Sequence, residues 1–361
     1  MLSSALFEPA SLGKLSLANR IVMAPMTRNR AVESNTANQL MAEYYAQRAS
    51  AGLIITEGTS PSPNGTGYAR IPGIWSKRQV AGWEKVTKAV HAKSGVIFLQ
   101  LMHTGRVGHP LNLSPGAELL APSAVAAEGT IFTDAQGPQP YPAPRAMSEA
   151  EIWAVVDEHT QAARNAVAAG FDGVELHGAN GYLLEQFLSP HTNQRDDAWG
   201  GSVEKRIGFV VEVAKRVTAA IGGQRMGIRL SPHGTNAGMK AYPEIDQTYI
   251  ELVTRLSPYG LQYIHLVDHS HLGAPKVPEE LKRALRRAWP RTVILSGNLD
   301  RGLAEAALRD GKGDLFAFGR PFLANPDLVT RLQRSLPLNT PDPSTFYTPG
   351  PKGYIDYPTA T

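Results

Sequence analysis

Cysteine is absent from all 361 residues. That absence excludes disulfide staples, thiolate nucleophiles, cysteine-ligated zinc and iron–sulfur clusters. Long hydrophobic runs are missing too, since none approaches the roughly 18 residues that cross a bilayer. The opening stretch Met1–Glu8 lacks a basic segment followed by an apolar core, so it does not read as a secretory leader. An excess of one charge is also lacking. The net charge is +4 with 19% charged residues, and the basic side chains are scattered rather than massed as a nucleic-acid binder requires. These gaps lead us to expect a soluble cytoplasmic enzyme of small molecules, without nucleic-acid or membrane partners.

What is present is a large apolar complement, 42% of the chain. Much of it falls in eight short runs: Ile21–Met26, Leu53–Glu57, Val96–Leu101, Gly173–His177, Met226–Leu230, Tyr263–Val267, Thr292–Ser296 and Leu315–Phe318. None alternates cleanly, which suits strands buried on both faces of a parallel sheet. Amphipathic segments lie between them, clearest at Lys77–Ala92, Glu149–Ala169, Val203–Ile221, Asp246–Ser257 and Leu303–Asp310. Ser148 with Glu151 offers a capping box, and Ser202 can cap without one. Repeated strand–helix alternation predicts an α/β fold, a (β/α)8 TIM barrel in a single domain over residues 1–361. A doubly wound sheet would show a Gly-x-Gly-x-x-Gly turn after its first strand. Here that place holds Pro25-Met26-Thr27-Arg28-Asn29-Arg30.

Residues Phe7–Asn19 read as an N-terminal hairpin plugging the barrel bottom. The Pro-, Gly- and Ala-rich insertion from His103 to Met147 follows strand three, so it is expected to cap the C-terminal face. The tail from Leu336 to Thr361 has the composition of a frayed terminus.

The chemistry concentrates in His177-Gly-Ala-Asn180-Gly-Tyr182, directly after the fourth run. Barrel strand ends are where catalytic groups sit. His177 and Asn180 can both donate to one carbonyl oxygen, and Tyr182 is a weak acid that can hand over a proton. Two donors and a proton source suggest reduction of a double bond polarised by a carbonyl. The longer string through Asn193-Gln-Arg195-Asp-Asp-Ala-Trp-Gly-Gly201-Ser-Val-Glu-Lys-Arg206 resembles the signature of the Old Yellow Enzyme family, FMN-dependent ene-reductases on a TIM barrel.

The resemblance implies noncovalent FMN across the strand ends, with NADH or NADPH as reductant. Pro25, Met26 and Thr27 then face the flavin edge, although Thr27 also reads as a helix cap. Gly58 lets the ring approach the backbone. Gln100 pairs with the flavin pyrimidine, or else bonds to backbone in the core. Arg229, inside a buried strand, needs an anionic partner. The resemblance makes that partner the reduced flavin, and a buried carboxylate is the alternative. Ser296, Gly297 and Asn298 after strand seven, with Gly319 and Arg320 after strand eight, form the usual barrel phosphate site.

The mechanism implied is ping-pong. The flavin passes hydride to Cβ of an activated alkene held by His177 and Asn180, and Tyr182 protonates Cα. Tyr68 and Tyr347 match aromatic walls of the substrate pocket. Met102 departs from the family, where Trp is common, and implies a different, roomier pocket. The string Phe346-Tyr347…Tyr354…Tyr357 resembles the family's C-terminal segment, which folds back toward the site. His269 and His271, near His265 and Asp268, have metal-like spacing but no third ligand in sequence, so no metal is expected. Two other readings remain: a nitroester or nitroaromatic reductase on the same site, and a phosphate-binding barrel isomerase or aldolase. The assembly is expected to be a monomer or homodimer.

Overall fold

The eight apolar runs form the eight strands of a closed parallel barrel. The computed structural model describes residues 4–360; Met1–Ser3 of the opening stretch and Thr361 lie outside the described residues. The strands are Ile21–Met23, Leu53–Ile55, Ile97–Leu101, Gly173–Gly178, Met226–Leu230, Tyr263–Val267, Thr292–Ser296 and Leu315–Phe318. Each pairs with its sequence neighbours, and closure comes where the eighth lies beside the first, Phe316 opposite Ile21.

The first two strands are shorter than expected. Pro25 has no N–H to extend the ladder, so pairing at the first strand ends just after Met23, where Ala24 donates to the Phe318 carbonyl at 3.0 Å. At the second strand a side chain takes over from the backbone. The Gln100 N–H donates to Thr56 Oγ1 at 3.1 Å. The fourth strand runs one residue longer than expected, to Gly178.

Helices Lys77–His91, Glu149–Ala168, Val203–Ile221, Ile245–Leu256 and Arg301–Arg309 fall where the amphipathic segments lie. Ser148 and Glu151 form the expected box, and Ser202 Oγ accepts from the Lys205 N–H. The last of these helices starts two residues early because Asp300 caps the Leu303 N–H. Helices Gln39–Gln47 and Glu279–Ala288 were not anticipated.

The N-terminal hairpin pairs Ala10–Leu12 with Leu15–Leu17. Leu12 and Leu17 are wholly buried and join Val22, Leu53, Ile55, Phe98, Ile294 and Leu315 in one cluster inside the barrel. The hairpin therefore closes the end opposite the strand C-termini. The insertion after strand three folds into a hairpin, Thr130–Thr133 against Gly137–Pro140, and a short pair, Leu120–Ala121 beside Arg145–Ala146.

The tail is ordered by arginines in the first strand's loop. Arg28 donates to the Phe346 and Gly353 carbonyls, and Arg30 to those of Thr345, Phe346, Gly350 and Lys352. Tyr354 stacks on Tyr44 with ring centroids 4.0 Å apart.

If the hairpin is a packed plug, Leu12→Ala destabilises the protein by about 2–5 kcal/mol, the usual cost of a large-to-small core change. Leu303→Ala, at a residue 54% exposed, should stay within about 0.5 kcal/mol. Urea unfolding of both variants checks this. Equal midpoints would show that the hairpin merely lies against the barrel.

Candidate active site

A cavity of about 240 Å³ opens at the C-terminal ends of the strands. Pro25, Met26, Thr27, Gly58, Gln100, Met102, His177, Asn180, Tyr182, Arg229, Arg320 and Tyr347 all line it, joined by Leu323 and Phe346. Residues from six strand ends and the tail thus converge on one space.

His177 is the penultimate residue of the fourth strand and is 3% exposed. Its Nδ1 accepts the Ala179 N–H at 3.3 Å, so the proton resides on Nε2. Burial, then the nearby Arg229, holds its pKa well below the ordinary value. The ring is a neutral Nε2–H donor. The Tyr182 ring stands edge-on to it at 4.8 Å. Burial pushes the Tyr182 hydroxyl up to about 12, so it keeps its proton at neutral pH. Its oxygen lies 3.1 Å from the Tyr68 hydroxyl.

Asn180 adopts a left-handed backbone, φ 61°, which asparagine tolerates better than most residues. Its N–H donates to Ser231 Oγ at 2.8 Å, and the following Gly181 N–H donates to Glu185 Oε2 at 2.5 Å. Ser231 and Tyr249 both donate to Glu185 Oε1. One buried carboxylate therefore clamps the turn that carries Asn180 and Tyr182. Burial pushes Glu185 up to about 7 against these three donors.

The floor is built around Glu175, wholly buried on the fourth strand. It accepts from Gln100 Nε2 at 2.8 Å and from His265 Nδ1 at 2.9 Å. Burial keeps His265 neutral, its pKa lowered. The bond to Glu175 orients the Gln100 amide, leaving its carbonyl as the free acceptor. Arg229 is 6% exposed, and its Nε has no hydrogen-bond partner among the described residues. No carboxylate among them reaches ion-pair distance, so the carboxylate alternative for Arg229 does not hold. Burial lowers its pKa and the charge of Glu175 opposes that.

A second cavity of about 680 Å³ shares Thr27, Tyr182 and Tyr347 with the first. Tyr68, Tyr141, Ile131 and Phe132 line it, so the insertion does cap the site. An Arg70–Asp134 ion pair ties the cap to the loop of strand two. Met102 is 1% exposed and covers Gly58, where an added Cβ would lie 2.4 Å from its sulfur.

Four expected residues lie off the cavity wall. Ser296 ends the seventh strand, Gly297 and Asn298 follow it, and Gly319 follows the eighth. At Gly297, φ is 134° and a Cβ would sit 2.4 Å from the Asp268 carbonyl, so only glycine fits. At Gly319 the nearest atom to a Cβ is Met26 Sδ at 3.6 Å, so the backbone there is open to approach. The residues that sequence reasoning missed are mostly those behind the wall: Glu175, Glu185, Ser231, Tyr249 and the tail-binding Arg28 and Arg30. His269, considered above only for a metal, instead places Nε2 2.7 Å from Asn180 Oδ1.

Known proteins resemble this chain over nearly its whole length. The model of the NADH:flavin oxidoreductase / NADH oxidase family matches residues 5–339. A chanoclavine-I aldehyde reductase of Penicillium roqueforti is 44% identical, over 98% of this chain and 95% of its own. A probable flavin mononucleotide-dependent alkene reductase of Leishmania infantum is 41% identical, over 98% and 97%. Among solved structures, morphinone reductase superposes with a TM-score of 0.95 at 44% identity, covering 99% of this chain and 97% of that one. The Old Yellow Enzyme homologue of Zymomonas mobilis gives 0.93 at 41% identity, covering 98% and 99%.

The clamp carries a pH signature. An acid whose folded pKa is raised takes up a proton on folding, so its contribution is full below about pH 4.5 and is lost as pH rises through about 7. Glu185→Gln cannot titrate. Wild type should therefore lose up to about 3 kcal/mol relative to this variant between pH 4.5 and pH 8, at roughly 1.4 kcal/mol per unit. Urea unfolding at both pH values measures it, and a constant difference would mean that Glu185 is ionised throughout.

Proposed function

The chain belongs to the NADH:flavin oxidoreductase / NADH oxidase family, the Old Yellow Enzymes, and from that premise we propose which of its residues carry the reaction. The enzyme is an FMN-dependent oxidoreductase that reduces the C=C bond of α,β-unsaturated carbonyl compounds with NADH or NADPH. FMN, when bound, takes reducing equivalents from the nicotinamide and delivers them to the β carbon of the alkene.

The residues present suit that cofactor. Arg229 is a buried cation lacking an ion-pair partner among the described residues, and it would face the part of the ring that gains negative charge. Gln100, with its amide oriented by Glu175, offers a carbonyl to a ring N–H. Pro25, Met26, Thr27 and Gly58 supply the cavity wall just after the first two strands. The backbone of Ser296, Gly297, Asn298 and Gly319, with the Arg320 guanidinium, would hold the phosphate.

His177 Nε2–H and the Asn180 amide N–H bind the substrate carbonyl oxygen. Charge grows on that oxygen as the double bond is reduced, so both donors act most strongly in the transition state. Tyr182 gives its proton to the α carbon. The Tyr68 hydroxyl beside it then donates to the oxygen left behind. Tyr68 and Tyr347 flank the substrate, with Met102 shaping the inner wall. We take the enzyme to act as a monomer or a homodimer, and we place it in the cytoplasm, where the nicotinamide pool is available. We also take residues 1–361 to act as one domain. The observation that carries this reading is the convergence of a neutral His177 donor, Asn180 and a protonated Tyr182 on a cavity floored by Arg229.

Tyr182→Phe removes only the acid. Enone turnover should fall about 100-fold or more, within the usual range for general acid catalysis. Reduction of a quinone, which needs no proton on carbon, should change little. Stopped-flow kinetics with cyclohexenone and a quinone separate the two, and equal slowing would show that Tyr182 is not the proton donor.

Arg229→Ala should weaken FMN binding by about tenfold or more, the scale of a lost charged hydrogen bond. Fluorescence of flavin released on dilution reads the dissociation constant. Unchanged retention would make Arg229 a purely structural residue.

A further inference from the structure

We propose that His269 is a positioning residue that sets which end of the Asn180 amide meets the substrate, an inference resting on the reading of Asn180 as a donor to the carbonyl oxygen. An amide has two chemically opposite ends, nearly equal in shape. Its nitrogen donates and its oxygen accepts. A substrate carbonyl needs the nitrogen. The opposite orientation sets oxygen against oxygen.

The backbone at Asn180 is already fixed by Ser231 and Glu185. These bonds do not choose the amide's orientation. His269 does. It follows the sixth strand, is 9% exposed, and puts Nε2 2.7 Å from Asn180 Oδ1. Its Nδ1 is buried without a partner among the described residues. With the proton on Nδ1, a buried donor goes unsatisfied. With the proton on Nε2, only a lone pair does, the smaller penalty. The second tautomer also donates to Asn180 Oδ1 and leaves the amide N–H groups for the cavity.

Burial and then Arg229 hold His269 down to about 4, so the ring stays neutral and keeps a single N–H. Asn236 Nδ2 lies 3.3 Å from the same Nε2. With the proton on Nε2, its amide oxygen can turn there as a second, weaker acceptor. The competing arrangement has Nε2 accepting from both amides. It would aim the Asn180 oxygen at the substrate and set it against the carbonyl.

A double-mutant cycle on the FMN-loaded enzyme decides between them. The probe is phenol, whose oxygen takes the place of the substrate oxygen, and its dissociation constant is read from the perturbed flavin absorbance. Kinetics with cyclohexenone accompany it. Asn180→Ala should weaken phenol binding by about tenfold or more. His269→Ala should weaken it severalfold in the wild-type background and less than about twofold in the Asn180→Ala background, because the partner is then gone. His269→Gln, whose amide N–H can donate from a similar place, should recover part of the loss at unchanged flavin content.

Equal weakening by His269→Ala in both backgrounds would make His269 merely structural. Unchanged or tighter phenol binding by His269→Ala, where Asn180→Ala weakens it, would favour the competing tautomer. Either result overturns this inference and leaves the role of Asn180 standing. Unchanged binding by Asn180→Ala overturns that role and this inference together.

Discussion

Burying the Arg229 guanidinium without an ion-pair partner costs free energy that the rest of the barrel mouth must offset. The carboxylate whose charge acts on it is Glu175, which is already engaged by Gln100 and His265. The cation is thus partly balanced across the floor and left open toward the cavity. Burial, and after it the same field, keeps His177 and His269 neutral. Neutral rings have one N–H each, so their donor and acceptor sides are fixed by their neighbours. A charged site would lose that definition. The chemistry of the mouth therefore follows from burial together with one cation held in place by a strand.

Around that floor, each reacting group is fixed by bonds to elements far away in sequence. Glu185 ties the turn after strand four to Ser231 and Tyr249. Arg28 and Arg30 tie the loop after strand one to the tail, bringing Phe346 and Tyr347 to the cavity. The plug hairpin closes the other end of the barrel with its buried Leu12 and Leu17. Preorganised donors of this kind need little rearrangement when charge develops.

The barrel was legible because strands buried on both faces produce short apolar runs that punctuation separates. The wall of the site was legible because its residues sit at the ends of those runs, and Arg229 and Gln100 stand out as polar residues inside them. What lay behind the wall was not. Glu185 looks like an ordinary residue in the short helix Leu183–Leu188. Its side-chain partners, Ser231 and Tyr249, are 46 and 64 residues away. Asn180 and His269 are 89 apart. Arg28 and Arg30 bond to backbone carbonyls, which no side-chain pattern reports. Helix Glu279–Ala288 buries only Leu281 and Leu285, too thin an apolar stripe to register, although Glu279-Glu280 at its start and Arg286-Arg287 at its end suit the helix dipole. The tail's composition pointed to fraying, and buried arginines overrode it.

The most direct test of Arg229 as the cation awaiting a negative ring is an anaerobic pH titration of the reduced, FMN-loaded enzyme. Absorbance follows the proton that leaves the reduced flavin as its ring becomes anionic. An adjacent cation favours the anion, so the transition should fall at lower pH than for free reduced FMN in the same buffer. A transition at the same or higher pH would contradict the account, because the buried guanidinium would then not face the charge that the flavin acquires.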